Sequence, residues 1–210
     1  MALAGDEKVL LLGQLVKYGL GGLTTGHAER YPEQVITYPV CENLMNASAM
    51  GLALLGFRPV VVHERMDFLA VGMDALVNHI PIWPARVRAA GGTLRLPLTI
   101  LAVVGKGNGQ GPQHSKNLAP WFRMLEGWTV VEPDSPQAAH DELLAAIFGE
   151  RPVLYVAHRE FFNADGRVRL PRPQRIGLCG ASARHEAEFY ARERLLEEFA
   201  MREAECKALN

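Results

Sequence analysis

The run Pro39-Val40-Cys41-Glu42-Asn43 places a carboxylate between an apolar strand-like segment and an apolar helical segment rich in Ala and Gly. A carboxylate in apolar surroundings gains proton affinity unless a donor or a cation meets it, so Glu42 is placed for proton chemistry. The plain alternative is a surface carboxylate at a helix start, favoured by the helix dipole. A second stretch, Gly105 to Gly111, sets four glycines in seven residues and leads into Gln113-His114-Ser115. Such glycines let a backbone approach a ligand closely, and a His at the loop's end can exchange a proton near neutral pH. As a phosphate cradle the loop is weak, because it matches neither the dinucleotide fingerprint nor the P-loop with its terminal Gly-Lys-Ser/Thr. The third feature is Asp67-Phe68, whose ring can lie on a flat heterocycle or serve as ordinary core. His63, His79, His140 and His158 have no comparable setting and read as structural.

These residues need a frame. Short apolar runs alternate with helical patterns, the signature of βαβ units. Strands are expected at Val9 to Leu15, Gln34 to Tyr38, Val60 to His63, Leu98 to Val103, Thr129 to Val131 and Val153 to Val156. Helices are expected at Asn43 to Leu55, Asp67 to His79, Asn117 to Met124 and Pro136 to Phe148. The last is well marked, with Ser135 as cap, Pro136 at the first position and Gly149 at the end. Strand runs apolar on both faces fit a sheet covered on both sides. The fold class is therefore α/β: a doubly wound, mainly parallel sheet with helices on both faces. Both glycine-rich loops, Gly19 to Gly26 and Gly105 to Gly111, follow strands, where open α/β sheets place ligands. Beyond this domain (1–162), residues 163–182 read as a polar linker with two prolines. Residues 183–210 then read as an amphipathic helix, which either packs on its own domain or docks on a partner chain.

Bulk properties narrow the class further. A chain of 210 residues, 49% hydrophobic, can bury one sizeable core. A net charge of -1, from 22 basic and 23 acidic residues, gives no electrostatic reason to expect nucleic acid or an anionic membrane. Three scattered cysteines make neither a disulfide framework nor a paired zinc site. The start, Met1 to Lys8, lacks a secretory pattern, and no run reaches the ~18 apolar residues of a membrane span. The expectation is a soluble, cytoplasmic protein.

Taken in order, the motifs resemble a known family. They are Glu42-Asn43, Gly51 through Val61, Asp67-Phe68-Leu69, Asp74 through His79, Gly91-Gly92 and Gly111-Pro112-Gln113-His114-Ser115, then Gly127 through Pro133 and Pro152-Val153-Leu154-Tyr155. Over residues 9 to 162 the chain resembles the pyrimidine-binding domain of the beta subunit of thiamine-diphosphate-dependent 2-oxo-acid dehydrogenases, which is transketolase-like. The resemblance implies that Glu42 hydrogen-bonds the pyrimidine ring nitrogen and favours the imino tautomer that deprotonates the thiazolium carbon. It implies that Phe68 packs on the aminopyrimidine and that His114 faces the substrate. Glu42 and His114 are thus the expected catalytic residues, with Glu42 and Phe68 binding the cofactor.

The departures carry equal information. Gln14 stands where the family usually has a Glu, and Ala102 stands near a position often held by Arg. Pro81 and Pro84 interrupt the helix that runs on toward Gly91-Gly92. The linker and helix are expected to stand where the family has its second α/β domain, and Asp165-Gly166 lacks the setting of the motif that holds magnesium and diphosphate. The resemblance therefore implies a diphosphate-binding alpha-type partner holding Mg, an alpha2beta2 heterotetramer, and an acyl carrier or lipoyl domain as a further partner. The expected activity is 2-oxo-acid decarboxylation with acyl transfer; the alternatives are transketolase-type ketol transfer and a non-catalytic, partner-stabilising homologue. An unrelated nucleotide-binding protein is disfavoured by the missing fingerprint.

Overall fold

The computed structural model describes residues 6–19, 22–105 and 111–162. The expected linker and C-terminal helix, Cys179, Cys206 and the centre of the second glycine loop lie outside the described residues.

Six parallel strands form one sheet in the order β2-β1-β3-β4-β6-β5. They are β1 (Val9–Gly13), β2 (Val35–Thr37), β3 (Arg58–His63), β4 (Thr99–Val104), β5 (Thr129–Val131) and β6 (Val153–His158). The helices are α1 (His27–Arg30), α2 (Glu42–Leu54), α3 (Ile82–Ala89), α4 (Ala119–Arg123) and α5 (Pro136–Phe148). Alternate residues along the strands feed two cores. Leu10, Leu12, Val61, Ile100 and Leu154 pack with Met45 and Ala49 of α2 and Phe122 of α4 on one face. Leu11, Val60, Val62, Leu101 and Tyr155 pack with Ala146 and Ile147 of α5 on the other. The period of two along each strand, with both faces apolar, produces the two-sided burial expected from the sequence.

Local chemistry explains the element ends. Pro59 sits in a central strand, yet β4 pairs with β3 only from Val60 onward, so the missing N–H costs no ladder bond there. The strand expected over Val9 to Leu15 stops at Gly13, because Leu15 takes a left-handed φ of 56°. Ser135 caps α5 as expected, its Oγ accepting the Ala138 N–H.

The single helix expected over Asp67 to His79 is not formed. A 3-10 helix, Met66–Gly72, is followed by a π-helical turn, Asp74–His79. Two side chains from elsewhere account for the break. Asn43 Oδ1 accepts the Ala75 N–H at 2.9 Å. Trp128 Nε1 donates at 2.8 Å to the Leu76 carbonyl. Tertiary partners thereby meet backbone groups that a regular helix would pair internally. Pro81 then separates this turn from α3, which restarts at Ile82 and holds Pro84 in its first turn, where no donor is required.

Candidate active site

From β1 the chain runs to β2 on one side, while β3, β4, β6 and β5 lie on the other, so the winding direction reverses between β1 and β3. Crevices at the carboxyl ends of strands at such a reversal are where open α/β sheets bind ligands. Gln14 and Glu64 directly follow those two strands, and α2, which leads into β3, begins at Glu42.

Glu42 is not a surface carboxylate. It is 5% exposed, and Gln14 Nε2 donates to its Oε1 at 3.0 Å. Its Oε2 has no hydrogen bond among the described residues. One turn along α2, the fully buried Asn46 accepts at Oδ1 from His63 Nε2, 2.9 Å away. Burial pushes the His63 imidazole down to about 3, so it stays neutral and acts as a fixed donor beneath the helix. Asn46 Nδ2 is buried without a partner.

The other two expected residues are held by a chain of contacts. The Met66–Gly72 helix presses on the first turn of α2: a Cβ at Gly72 would lie 2.5 Å from Asn46 Nδ2 and 3.2 Å from the Glu42 carbonyl oxygen. Phe68, on that same helix, meets His114 edge to face, with ring centroids 5.6 Å apart and planes at 84°. Asp67 accepts the Lys116 N–H at 3.2 Å, and Met66 Sδ accepts the Leu118 N–H at 2.9 Å. These bonds fasten the Pro112–His114 turn to Phe68. His114 Nδ1 is buried and unpaired. Phe68 and His114 are thus in contact with each other, and Glu42 reaches them through the backbone packed at Gly72.

Glu64 escaped the sequence reading. Its Oε1 is buried without a partner, and burial pushes the carboxyl up to about 7 against the opposing pull of Arg65 and Arg159. The available signal was a carboxylate directly following a strand apolar on both faces; its charged neighbour Arg65 disguised it as a solvated strand end. Among the described residues no group of three His, Cys, Asp or Glu is set to hold a metal ion. Two grooves, of about 460 and 580 Å³, are lined by β5 with α5 and by the Pro81 to Arg95 segment with Trp128. Neither is lined by Glu42, Phe68 or His114.

A donor-held carboxylate with one open oxygen on α2, and an aromatic ring in contact with an imidazole on the segment packed against α2, are groups that suit a flat, nitrogen-containing heterocycle. The family model for the transketolase pyrimidine-binding domain matches residues 2–163. One relative is the beta subunit of the acetoin:2,6-dichlorophenolindophenol oxidoreductase of Cupriavidus necator, 29% identical over 176 residues, covering 78% of this chain and 51% of the relative. Another is the pyruvate dehydrogenase E1 component subunit beta of Staphylococcus aureus, 32% identical over 166 residues, covering 77% of this chain and 50% of the relative. The chain spans about half the length of these curated relatives. Among solved structures, a split-gene transketolase described as an inactive beta4 tetramer superposes with a TM-score of 0.57 at 20% identity, over 73% of this chain and 46% of that one. Among the described residues no helix is long and apolar enough to cross a membrane. With the match running from residue 2 to residue 163 and the parallel sheet beneath it, the chain belongs to the transketolase pyrimidine-binding domain family.

Proposed function

We propose that this chain is the catalytic, pyrimidine-binding subunit of a two-chain thiamine-diphosphate enzyme acting on 2-oxo acids. The observation that carries the proposal is the Glu42 carboxyl, buried, held at Oε1 by Gln14 and open at Oε2. Thiamine diphosphate, when bound, supplies an electron sink for breaking a bond next to a carbonyl. The protein's part is to hold the cofactor and manage protons. Glu42 Oε2 holds and returns a proton at the heterocycle, in a site that keeps bulk water away from it. Phe68 offers a ring to the same heterocycle, and the orphaned Nδ1 of His114 is a hydrogen-bonding atom for the substrate.

In this reading residues 1–162 form the pyrimidine-binding domain, 163–182 a linker and 183–210 a helix that docks on a partner. The diphosphate and Mg belong mainly to an alpha-type partner chain, in an alpha2beta2 assembly in the cytoplasm, with a lipoyl or other acyl carrier as acceptor. The naming of relatives as pyruvate dehydrogenase and acetoin oxidoreductase beta subunits supports 2-oxo-acid or related carbonyl chemistry over ketol transfer.

The test is to mix the chain with a diphosphate-binding partner and follow thermal stability with thiamine diphosphate and magnesium. Stabilisation of the mixture, but of neither chain alone, is expected. Turnover by this chain without a second one would overturn the proposal.

A further inference from the structure

Gln14, directly past the end of β1, touches the Glu42 carboxyl, and the local backbone holds it there. Gly13, the last residue of β1, has no room for a side chain: a Cβ would lie 2.6 Å from Val16 Cγ1 and 2.8 Å from the Val62 carbonyl oxygen. Its own carbonyl accepts the Tyr38 N–H at 3.0 Å, which fixes the strand end against the segment leading to Glu42. Leu15, on the other side, is the one non-glycine residue with positive φ among the described residues, at 56°. Such a conformation costs free energy and persists only where surrounding structure enforces it. Between these two constraints, Gln14 Nε2 is delivered to Glu42 Oε1 at 3.0 Å across 28 residues of chain.

The choice of an amide has a chemical consequence. An amide N–H donates at every pH, whereas a carboxylic acid donates only while it holds its proton. We infer that Gln14 is a positioning residue for Glu42: it ties up Oε1 with a donor that cannot ionise, leaving Oε2 as the single proton-exchanging atom of the pair. The inference rests on the proposed role of Glu42 toward the aminopyrimidine. It makes the contact independent of pH and confines the proton to one carboxyl per site.

Of the other described titratable and charged groups on the surrounding elements, only Glu64 has a buried oxygen without a partner. From β3 come His63, which is neutral and bonded to Asn46, and Glu64, pushed up to about 7 by burial. Arg65 is buried and has a partner. Asp67 accepts from Lys116, Asp74 pairs with His79, and Lys17 and Tyr18 past β1 are exposed. Tyr38 lies past β2, packed partly buried against the core.

The test uses the complex with its partner chain and measures thiamine diphosphate affinity by titration calorimetry from pH 5 to pH 8. The variants are Gln14→Met, which keeps volume and loses the donor, and Gln14→Glu, which keeps shape and adds a proton site. Gln14→Met is expected to weaken binding about fivefold to tenfold at all pH values, the scale of one ordinary hydrogen bond lost. Gln14→Glu is expected to match the wild type at low pH, where the two carboxyls share a proton, and to fall to the Gln14→Met level as that proton leaves. Glu64 titrates in every variant, so it cancels in the comparison. A packing role alone would leave Gln14→Met, which keeps the volume, binding like the wild type at every pH. If both variants bind like the wild type at every pH, the inference fails. If Glu42→Gln also leaves affinity unchanged, the role assigned to Glu42 fails, and the inference falls with it.

Discussion

Glu64 and Glu132 each stand one residue beyond a parallel strand, β3 and β5, yet the protein treats them in opposite ways. Glu132 is surrounded by donors: Arg123, Asn117 at 2.8 Å and His158 at 3.2 Å. Burial pushes its carboxyl up, but these hydrogen bonds more than offset that and hold it below the ordinary range. Glu64 keeps a buried oxygen with no partner and is pushed up to about 7. Asn46 Nδ2 and His114 Nδ1, the other buried and unpaired side-chain atoms among the described residues, belong to the same end of the molecule as Glu64. Folded proteins satisfy nearly all buried polar groups, and the three exceptions among the described residues lie on the segments of the site proposed above. At the β5 edge the same fold leaves its carboxylate fully partnered.

The contrast can be broken at four points. Glu42→Gln tests the reactive end most directly: in the two-chain complex, hydrogen exchange at the thiazolium carbon should slow on the order of 10²–10⁴-fold with assembly intact. Unchanged exchange would remove Glu42 from proton transfer. Next comes Gly72→Ala. Its methyl group would overlap the buried Asn46 amide, 2.5 Å away, and press the Glu42 carbonyl, so urea unfolding should show a loss of about 2–3 kcal/mol. No loss would mean that the Phe68 segment is not seated on α2 as described. Third, Glu64→Gln should change how stability depends on pH. The Glu64 carboxyl rises from 4.5 to about 7 in the fold, so its contribution is complete below about pH 4.5 and lost as pH climbs through 7. The Gln variant should therefore gain about 1–2 kcal/mol over the wild type at pH 8, a figure already reduced for solvent screening, and gain little at pH 4.5. Equal slopes would mean that the fold does not raise the Glu64 carboxyl. The smallest effect belongs to Glu132→Gln, which weakens a half-exposed cluster and should cost about 0.5–1 kcal/mol.

What the sequence made legible followed from periodicity. Both-face apolar runs located all six strands to within a few residues, and Ser135-Pro136 with Gly149 bounded α5 at both ends. The interrupted helix after Met66 was hidden because its cause is remote: Asn43 and Trp128 meet its backbone from other elements. The expectations for Glu42 met a buried carboxyl, and those for Phe68 and His114 met rings in contact. Their partners were less visible. Gln14 was noted only as a departure from a pattern, since its bond to Glu42 depends on how β1 and α2 cross. Glu64 was missed because His63-Glu64-Arg65 reads as a polar strand end, although two of the three side chains are buried.

The outer strands of the sheet are three residues long, β2 at one margin and β5 at the other. So short a margin offers a foreign strand almost no ladder to extend, a protection against edge-to-edge aggregation that longer parallel sheets must obtain by other means. Contacts between copies, or with another chain, are thereby steered to helical faces and loops, and the exposed Trp83 and Trp121 on α3 and α4 are part of the surface left for them.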